Sequence, residues 1–160
     1  MTGVQTCALP IYVDILLIDS EVRAKTSEAV GRVRQQVQSG TGTSIINEIG
    51  DTTSQILSYL KSNSLAPSDK LNQLVAKNQQ LLKQLGLSIQ AIDEIVQYLA
   101  TKGIPAKLSG KGMGGFIVAI VKSTDSDKIT SDILQGVGLS KSYSVIKARQ
   151  NQTGITCSCI

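Results

Sequence analysis

A nine-residue stretch rich in glycine restricts the fold of this chain more than any other feature. It reads Lys107-Leu-Ser-Gly-Lys-Gly-Met-Gly-Gly115 and is followed at once by the apolar run Phe116–Val121. Four glycines within positions 110–115 argue against a helix interior or an ordinary strand, because ordered glycine loses more backbone entropy than any other residue. Such a cluster is typical of a loop that needs positive φ angles or close approach to a partner. We call residues 109–115 the glycine loop.

The glycine loop by itself leaves two interpretations open. It is either a flexible turn between two strands or a nest of backbone N–H groups that face a phosphate. In the second case Ser109, Lys107 and Lys111 would add a hydroxyl group and positive charge. The loop lies between two short apolar segments, 104–108 and 116–121, and follows a strongly amphipathic helical stretch. The segments on either side of the loop are therefore needed to choose between the two interpretations.

The region around the loop resembles a known sequence motif. Leu-Gly-Leu-Ser at 85–88 precedes a helical stretch with Ile92-Asp-Glu-Ile-Val96, and Ala106-Lys-Leu-Ser109 then leads into the glycines. This order resembles the third conserved motif of the GHMP kinase superfamily, and most closely that of its mevalonate kinase family. In that family the pattern is Lys-Leu-Thr/Ser-Gly-x-Gly-x-Gly-Gly followed by a buried strand.

A second match lies near the start of the chain. Residues 15–26 read Ile-Leu-Leu-Ile-Asp-Ser-Glu-Val-Arg-Ala-Lys-Thr and are followed by Glu28-Ala-Val. They are similar to the strand, Asp-Thr-Gly turn and Thr-capped helix of the same family. The resemblance implies that Asp19 and Thr26 lie near the site of the phosphoryl acceptor. Glu21 stands where the family has glycine, so we do not expect an identical turn.

For the glycine loop, the resemblance implies a place beside the phosphates of ATP. The candidates act through backbone N–H groups and are Ser109, Gly110, Gly112, Gly114 and Gly115. We expect Gly112 and Gly114 to lie where a Cβ atom would either block a positive φ angle or intrude on the phosphate side of the cleft, so that they serve approach rather than packing. Lys111 and Met113 depart from the family pattern, and for Met113 we expect packing against the sheet.

Composition limits the class of protein and of site. The chain has 160 residues, of which 41% are hydrophobic and 3% aromatic, so one domain with a core of Leu, Ile and Val is expected. It has no His and three Cys, which argues against a metal site. The net charge of +4 is scattered, which argues against nucleic-acid binding. Because no apolar run reaches the ~18 residues of a membrane span, we expect a soluble protein. The family resemblance given above implies a cytoplasmic location.

Hydrophobic periodicity and capping signals predict an α+β fold. The predicted elements are a strand at 12–18, a helix at 27–38 capped by Thr26, a helix with the stripe Ile45, Ile49, Ile56 and Leu60, a helix opened by Pro67, a helix capped by Ser88, strands at 106–109 and 116–122, a helix from a capping box at 124–127 to Leu134, and a strand at 142–148. Without the extra helices this is a ferredoxin-like split βαβ sheet. The C-terminal domain of GHMP kinases, which the resemblance implies, is of this kind.

The chain also divides into three parts. Residues 1–11 resemble a translated sequencing adapter, so the natural protein is expected to enter at Tyr12. We predict the GHMP kinase C-terminal domain at 12–150 and a loose tail at 151–160. The chain would then be a fragment of a longer kinase.

The resemblance implies that the intact parent transfers the ATP γ-phosphoryl group to mevalonate with Mg²⁺. It implies the missing N-terminal half as a partner, and a homodimer. Because the family's main ATP loop and catalytic Asp and Lys belong to that half, we expect no catalytic residue and no activity in this chain alone. The alternatives are another GHMP kinase, for phosphomevalonate or homoserine, and a non-catalytic helical interaction module.

Overall fold

The computed structural model describes residues 13–62, 68–151 and 154–157. These residues form five helices and five strands: β1 Val13–Asp19, α1 Thr26–Gln38, α2 Gly42–Ser62, α3 Asp69–Gln84, α4 Gln90–Thr101, β2 Ala106–Leu108, β3 Phe116–Lys122, α5 Ser123–Gln135, β4 Val145–Asn151 and β5 Gly154–Cys157. The predicted order of elements is therefore confirmed up to β4. The expected adapter segment, 1–11, lies outside the described residues.

The strands form one antiparallel sheet in the order β2-β3-β1-β4-β5. β3 lies between β1 and β2, and the four helices α1 to α4 connect β1 to β2 along the chain. α5 connects β3 to β4, which pairs with the other side of β1. This is the split βαβ arrangement, so the predicted α+β, ferredoxin-like fold with additional helices is confirmed.

The core is aliphatic, as the composition predicts. In the two central strands, alternate side chains are removed from water and meet buried side chains of α4 and α5, since strand side chains point to opposite faces. The buried members are Leu16, Ile18, Ile117, Ala119 and Val121 in the strands and Ile92, Ile95, Leu99, Ile129 and Ile133 in the helices. The single phenylalanine is not part of this core, because Phe116 is 36% exposed.

Asp14 interrupts the apolar sequence of β1, and the structure gives it a polar role in the interior. Its side chain is fully buried and forms an ion pair with Lys147 of β4, with 3.2 Å between Oδ2 and Nζ. The hydroxyl group of Ser123 donates a hydrogen bond to Oδ1 at 3.0 Å. A buried carboxylate needs such partners, and these fix the start of α5 against the end of the sheet away from the glycine loop.

Three predicted helix caps are wrong. α1 begins at Thr26 with Lys25 as its N-cap, α4 has Ile89 as its N-cap rather than Ser88, and α5 begins at Ser123, before the expected capping box. In all three helices the structure records no side-chain hydrogen bond from the N-cap residue. The hydroxyl groups have other partners, since that of Ser88 donates to Asp93 at 2.7 Å.

The third helix and the tail also differ from the prediction. α3 has Ser68 as its N-cap, whose hydroxyl group accepts from the Leu71 amide at 3.2 Å, and Pro67 lies outside the described residues. The loose tail predicted for 151–160 is wrong at Gly154–Cys157, which pairs with β4 as an edge strand. The β-branched pair at 155 and 156 favours this extended pairing.

No helix within the described ranges is long and apolar enough to cross a membrane.

Candidate functional site

Backbone hydrogen bonds fix the glycine loop to two other parts of the chain. The Met113 amide donates to the carbonyl oxygen of Leu87, in the α3–α4 connection, at 2.6 Å. The Gly115 amide donates to the Val22 carbonyl oxygen at 2.9 Å, and the Ser20 amide donates back to the Gly115 carbonyl oxygen at 2.9 Å. The loop is therefore not a free turn, because it joins the β1–α1 turn to the α3–α4 connection.

Gly112 and Gly114, which we call the inner glycines, face protein rather than open space. Both are buried and have positive φ angles of 80° and 137°. A Cβ atom on Gly112 would lie 2.7 Å from the Leu87 carbonyl oxygen, and one on Gly114 would lie 2.8 Å from the Val22 carbonyl carbon and overlap its oxygen. The positive φ angles agree with the expectation that a Cβ atom is disfavoured at both positions, and close packing against Leu87 and Val22 also requires glycine there. Their expected role in the approach of a phosphate stays a prediction.

Gly110 and Gly115, the outer glycines, have a different environment. Their φ angles are also positive, at 77° and 81°, yet a Cβ atom on either would meet nothing within 4 Å. Met113 has a φ angle of 59°, which is uncommon for a residue with a side chain. Its side chain packs against the core, in agreement with the expected packing role.

The backbone donors of the loop are partly used by the protein itself. The Ser109 amide donates to the Phe116 carbonyl oxygen at 2.8 Å, and the Gly115 amide is taken by Val22. In the part of the chain that the structure describes, no protein acceptor is recorded for the amides of Gly110, Gly112 and Gly114. Of the five loop residues predicted from the sequence, Ser109 and Gly115 therefore use their amides within the protein. The amides of the other three can still donate to a ligand.

The β1–α1 turn is held by Asp19. Its carboxylate accepts from the Glu21 amide at 2.8 Å and from both terminal nitrogens of Arg23, at 2.7 and 2.5 Å. The side-chain hydrogen bond from Arg23 lowers the pKa of Asp19. Glu21 has a φ angle of 61°, so this glutamate adopts the left-handed conformation that glycine adopts without strain.

Thr26 and Lys111 bring the two sequence motifs together. The Lys111 ammonium group donates to the Thr26 hydroxyl group at 3.4 Å, across 85 residues of sequence. Both line a cavity of about 370 Å³, the Thr26 cavity, whose other lining residues include Arg34 and the apolar Ala29, Val33 and Leu87. Two cations and a hydroxyl group around an apolar floor suit a small anionic molecule.

Lys107 does not join this cluster, although it stands in the same motif. Its side chain lines a separate cavity of about 270 Å³, the Lys107 cavity, together with Ser109 and Gly110. The ammonium group donates to the Leu108 carbonyl oxygen at 3.0 Å, and burial lowers its pKa. The structure therefore separates the two lysines that the phosphate-nest interpretation placed together.

A buried glutamine on α3, which the sequence reasoning did not single out, anchors the strand that enters the loop. Gln79 is 5% exposed, and its side-chain oxygen accepts from the Leu108 amide at 2.8 Å. Its amide nitrogen donates to Ser88 at 3.2 Å, and Ser88 donates to Asp93 at 2.7 Å. In the sequence, the sign that could have pointed to this role is the polar Gln79 within the apolar stripe of α3.

A third segment, the α5–β4 connection, contacts the turn through charged side chains. Lys141 forms an ion pair with Glu21 at 2.7 Å, and the neighbouring Ser140 donates to Glu94 of α4 through both its hydroxyl group and its amide. The hydrogen bonds from Ser140 lower the pKa of Glu94. Asp93, the residue before Glu94, forms a separate ion pair with Lys83 at 2.8 Å.

Comparison with known proteins identifies the family. The sequence model described as "GHMP kinases C terminal" matches residues 56–137. This chain belongs to the GHMP kinase family. The Archaeoglobus fulgidus mevalonate kinase is 32% identical to this GHMP kinase domain over 78 residues, which are 49% of this chain and 27% of that protein.

Solved structures show the same fold. The domain resembles Leishmania major mevalonate kinase in complex with R-mevalonate with a TM-score of 0.72 and 26% identity, over 85% of this chain and 42% of that one. Streptococcus pneumoniae phosphomevalonate kinase, in complex with phosphomevalonate and AMPPNP, gives a TM-score of 0.68 over 88% of this chain and 40% of that one. At 18% identity the second match shows the fold alone. The chain therefore spans less than half the length of the relatives that it matches.

Within the described ranges of this GHMP kinase domain, no group of three His, Cys, Asp or Glu side chains could hold a metal ion.

Proposed function

We propose that this GHMP kinase domain is the C-terminal part of a mevalonate kinase, which transfers the γ-phosphoryl group of ATP to the primary hydroxyl group of mevalonate. The observation that carries the proposal is the joining of the two sequence motifs. The glycine loop is bonded to the β1–α1 turn through Gly115 and Val22, and Lys111 reaches Thr26. The 32% identity to the Archaeoglobus fulgidus mevalonate kinase supports mevalonate as the acceptor.

In this proposal the glycine loop forms the phosphate side of the site. The amides of Gly110, Gly112 and Gly114 are the remaining backbone donors, and Lys111 adds positive charge at the exposed side of the loop. Fixed donors that need no reorganisation stabilise charge that develops during phosphoryl transfer. The anchors at Leu87 and Val22 keep those donors in place.

The Thr26 cavity forms the acceptor side. Its apolar floor suits the methyl-bearing carbon chain of mevalonate, and Arg34 and Lys111 suit its carboxylate. Asp19 acts through the turn, since its bonds to Glu21 and Arg23 hold the segment that leads to Thr26. We propose that the ATP loop, the catalytic residues and the ligands of Mg²⁺ belong to the part of the parent kinase that this chain does not span.

The proposal is tested by restoring the missing part. We expect the chain, joined or co-expressed with the front half of a mevalonate kinase, to release ADP only when mevalonate is present. Thr26→Val should lower kcat/KM by about 100-fold, as loss of one fixed polar contact does, and Thr26→Ser should restore most of it. Thr53→Val is the matched control, because the bonds recorded for the Thr53 hydroxyl group in the described part of the chain are one within α2 and one to Asn78.

The chain alone should show no mevalonate-dependent ADP release and should bind ATP with a Kd above about 1 mM, since one wall of the site gives few of the contacts. Turnover by the chain alone would contradict this. Phosphomevalonate and homoserine are the acceptors to compare. If the restored enzyme clearly prefers either one, the chain is assigned to another GHMP kinase.

A homodimer and a cytoplasmic location remain expectations from the family resemblance. Sedimentation would test the first and cell fractionation the second.

A further inference from the structure

The Lys107 cavity lies outside the proposed acceptor site and has its own chemistry. It is lined by aliphatic side chains of α2, α3 and β3, among them Ile56, Leu60, Val75, Val118 and Ile120. None of its lining residues lines the Thr26 cavity. At about 270 Å³ it is smaller than the ~300–1,000 Å³ of sites for drug-sized ligands, so it suits a small molecule.

Among the described residues that line this cavity, the one charged side chain is that of Lys107, and the described part of the chain gives it no counterion. All 12 acidic side chains of the chain lie within the described residues, and none of them forms an ion pair with Lys107 there. The Leu108 carbonyl oxygen takes one of the three N–H donors of the ammonium group. Two N–H donors therefore remain without a recorded protein acceptor in the described part of the chain.

We infer that the Lys107 cavity binds a small amphipathic carboxylate, an unbranched alkyl chain of roughly six to eight carbons with one carboxylate group. The carboxylate supplies the single negative charge and the acceptor oxygens that Lys107 lacks, and the alkyl chain occupies the aliphatic walls. A phosphate dianion fits less well, because nothing in the cavity balances its second charge. Burial already lowers the pKa of Lys107, which is the expected state of a cation without its partner.

The first test is a titration of the chain with sodium octanoate, followed by ¹H–¹⁵N NMR. Saturable shifts are expected at the amides of Lys107, Val75 and Ile120, with a Kd on the order of 1 mM. Hexanoate should bind about 15-fold more weakly, since it lacks two methylene groups and each contributes about a factor of four. Octanol, which has the chain without the charge, should bind at least about tenfold more weakly than octanoate.

Variants and a direct pKa measurement complete the test. Lys107→Met should weaken octanoate binding by at least about tenfold, and Lys107→Arg should preserve it. The control is Lys128→Met, which changes an exposed lysine on α5 and should have no effect. Octanoate should raise the pKa of the Lys107 ammonium group, followed by ¹³Cε shifts, because the charged form gains a partner. That measurement uses the unaltered chain and decides the question even if Lys107→Met does not fold. Neither measurement requires kinase activity.

Three results would overturn the inference. One is equal binding of octanoate and octanol, and another is unchanged affinity in a folded Lys107→Met variant. The third is a set of shifts confined to Thr26, Val33 and Lys111, which would place the carboxylate in the Thr26 cavity.

Discussion

The inner and outer glycines of one loop share a backbone conformation but differ in their surroundings. All four have positive φ angles. A side chain on Gly112 or Gly114 would overlap Leu87 or Val22, whereas a side chain on Gly110 or Gly115 would enter open space. One glycine-rich motif therefore has two functions. The inner glycines let the loop pack closely against two distant segments, and the outer glycines supply the conformation at its open ends.

The largest expected effect is at the inner glycines. Gly114→Ala and Gly112→Ala combine overpacking with an unfavourable φ angle, so each should cost about 3 kcal/mol or more of unfolding free energy. For a chain of this size that corresponds to a fall in Tm of about 10 °C. Thermal unfolding followed by circular dichroism measures it. If both variants melt within about 2 °C of the parent, the close packing at Leu87 and Val22 is not what these glycines provide.

The next effect concerns the strand that leads to the outer glycine Gly110. Gln79→Leu leaves the buried Leu108 amide without its acceptor, which should cost about 2 kcal/mol. The control is Gln84→Leu, an exposed position of the same helix, which should change stability by less than about 0.5 kcal/mol. Urea unfolding of both variants gives the difference. Equal stability of the two would remove Gln79 as an anchor of the loop.

The outer glycines should show only the cost of the backbone conformation. Gly110→Ala and Gly115→Ala should each lower the unfolding free energy by about 1 kcal/mol, because alanine disfavours a left-handed φ angle. Each Tm should fall by about 3 °C. A loss as large as that of the inner variants would mean that the two pairs of glycines do not differ in their surroundings.

Glu21 is the opposite case, a residue with a side chain at a positive φ angle. Glu21→Gly removes the strain and the ion pair to Lys141, whereas Glu21→Gln removes the ion pair and keeps the strain. The glycine variant should therefore be more stable than the glutamine variant by about 1 kcal/mol. Chemical unfolding at neutral pH compares them, and the reverse order would show that Glu21 is not strained.

The smallest effect is expected from the pH dependence of the turn. Because the hydrogen bond from Arg23 lowers the pKa of Asp19, the charged form of Asp19 stabilises the folded state. That stabilisation is present above the ordinary aspartate pKa of about 4 and is lost as the pH falls through the lowered value. Arg23 is mostly exposed, so the effect is small. The unfolding free energy of Asp19→Asn should therefore fall less between pH 5 and pH 2 than that of the parent. The difference in slope should correspond to the uptake of about one proton.

The sequence by itself determined the fold and the two motifs that matter. The apolar runs of β1 and β3, the amphipathic stripe of α4 and the glycine cluster each depend on local propensity and periodicity, which a linear sequence displays. The order of the motifs along the chain indicated the GHMP kinase family, and the family match at 56–137 agrees with it. Edge pairing at Gly154–Cys157 was missed because a short strand depends on its neighbour for its hydrogen bonds.

The tertiary structure decided what each residue of the site contacts. Which glycines are packed depends on Leu87 and Val22, which lie far away in the sequence. Lys107 and Lys111 line two different cavities that share no lining residue, and only the folded chain shows this separation. A hydroxyl group such as that of Thr26 has several partners of similar energy, and only the folded chain selects Lys111 over a helix cap. Contacts between distant segments are set by packing, which the local pattern of residues does not encode.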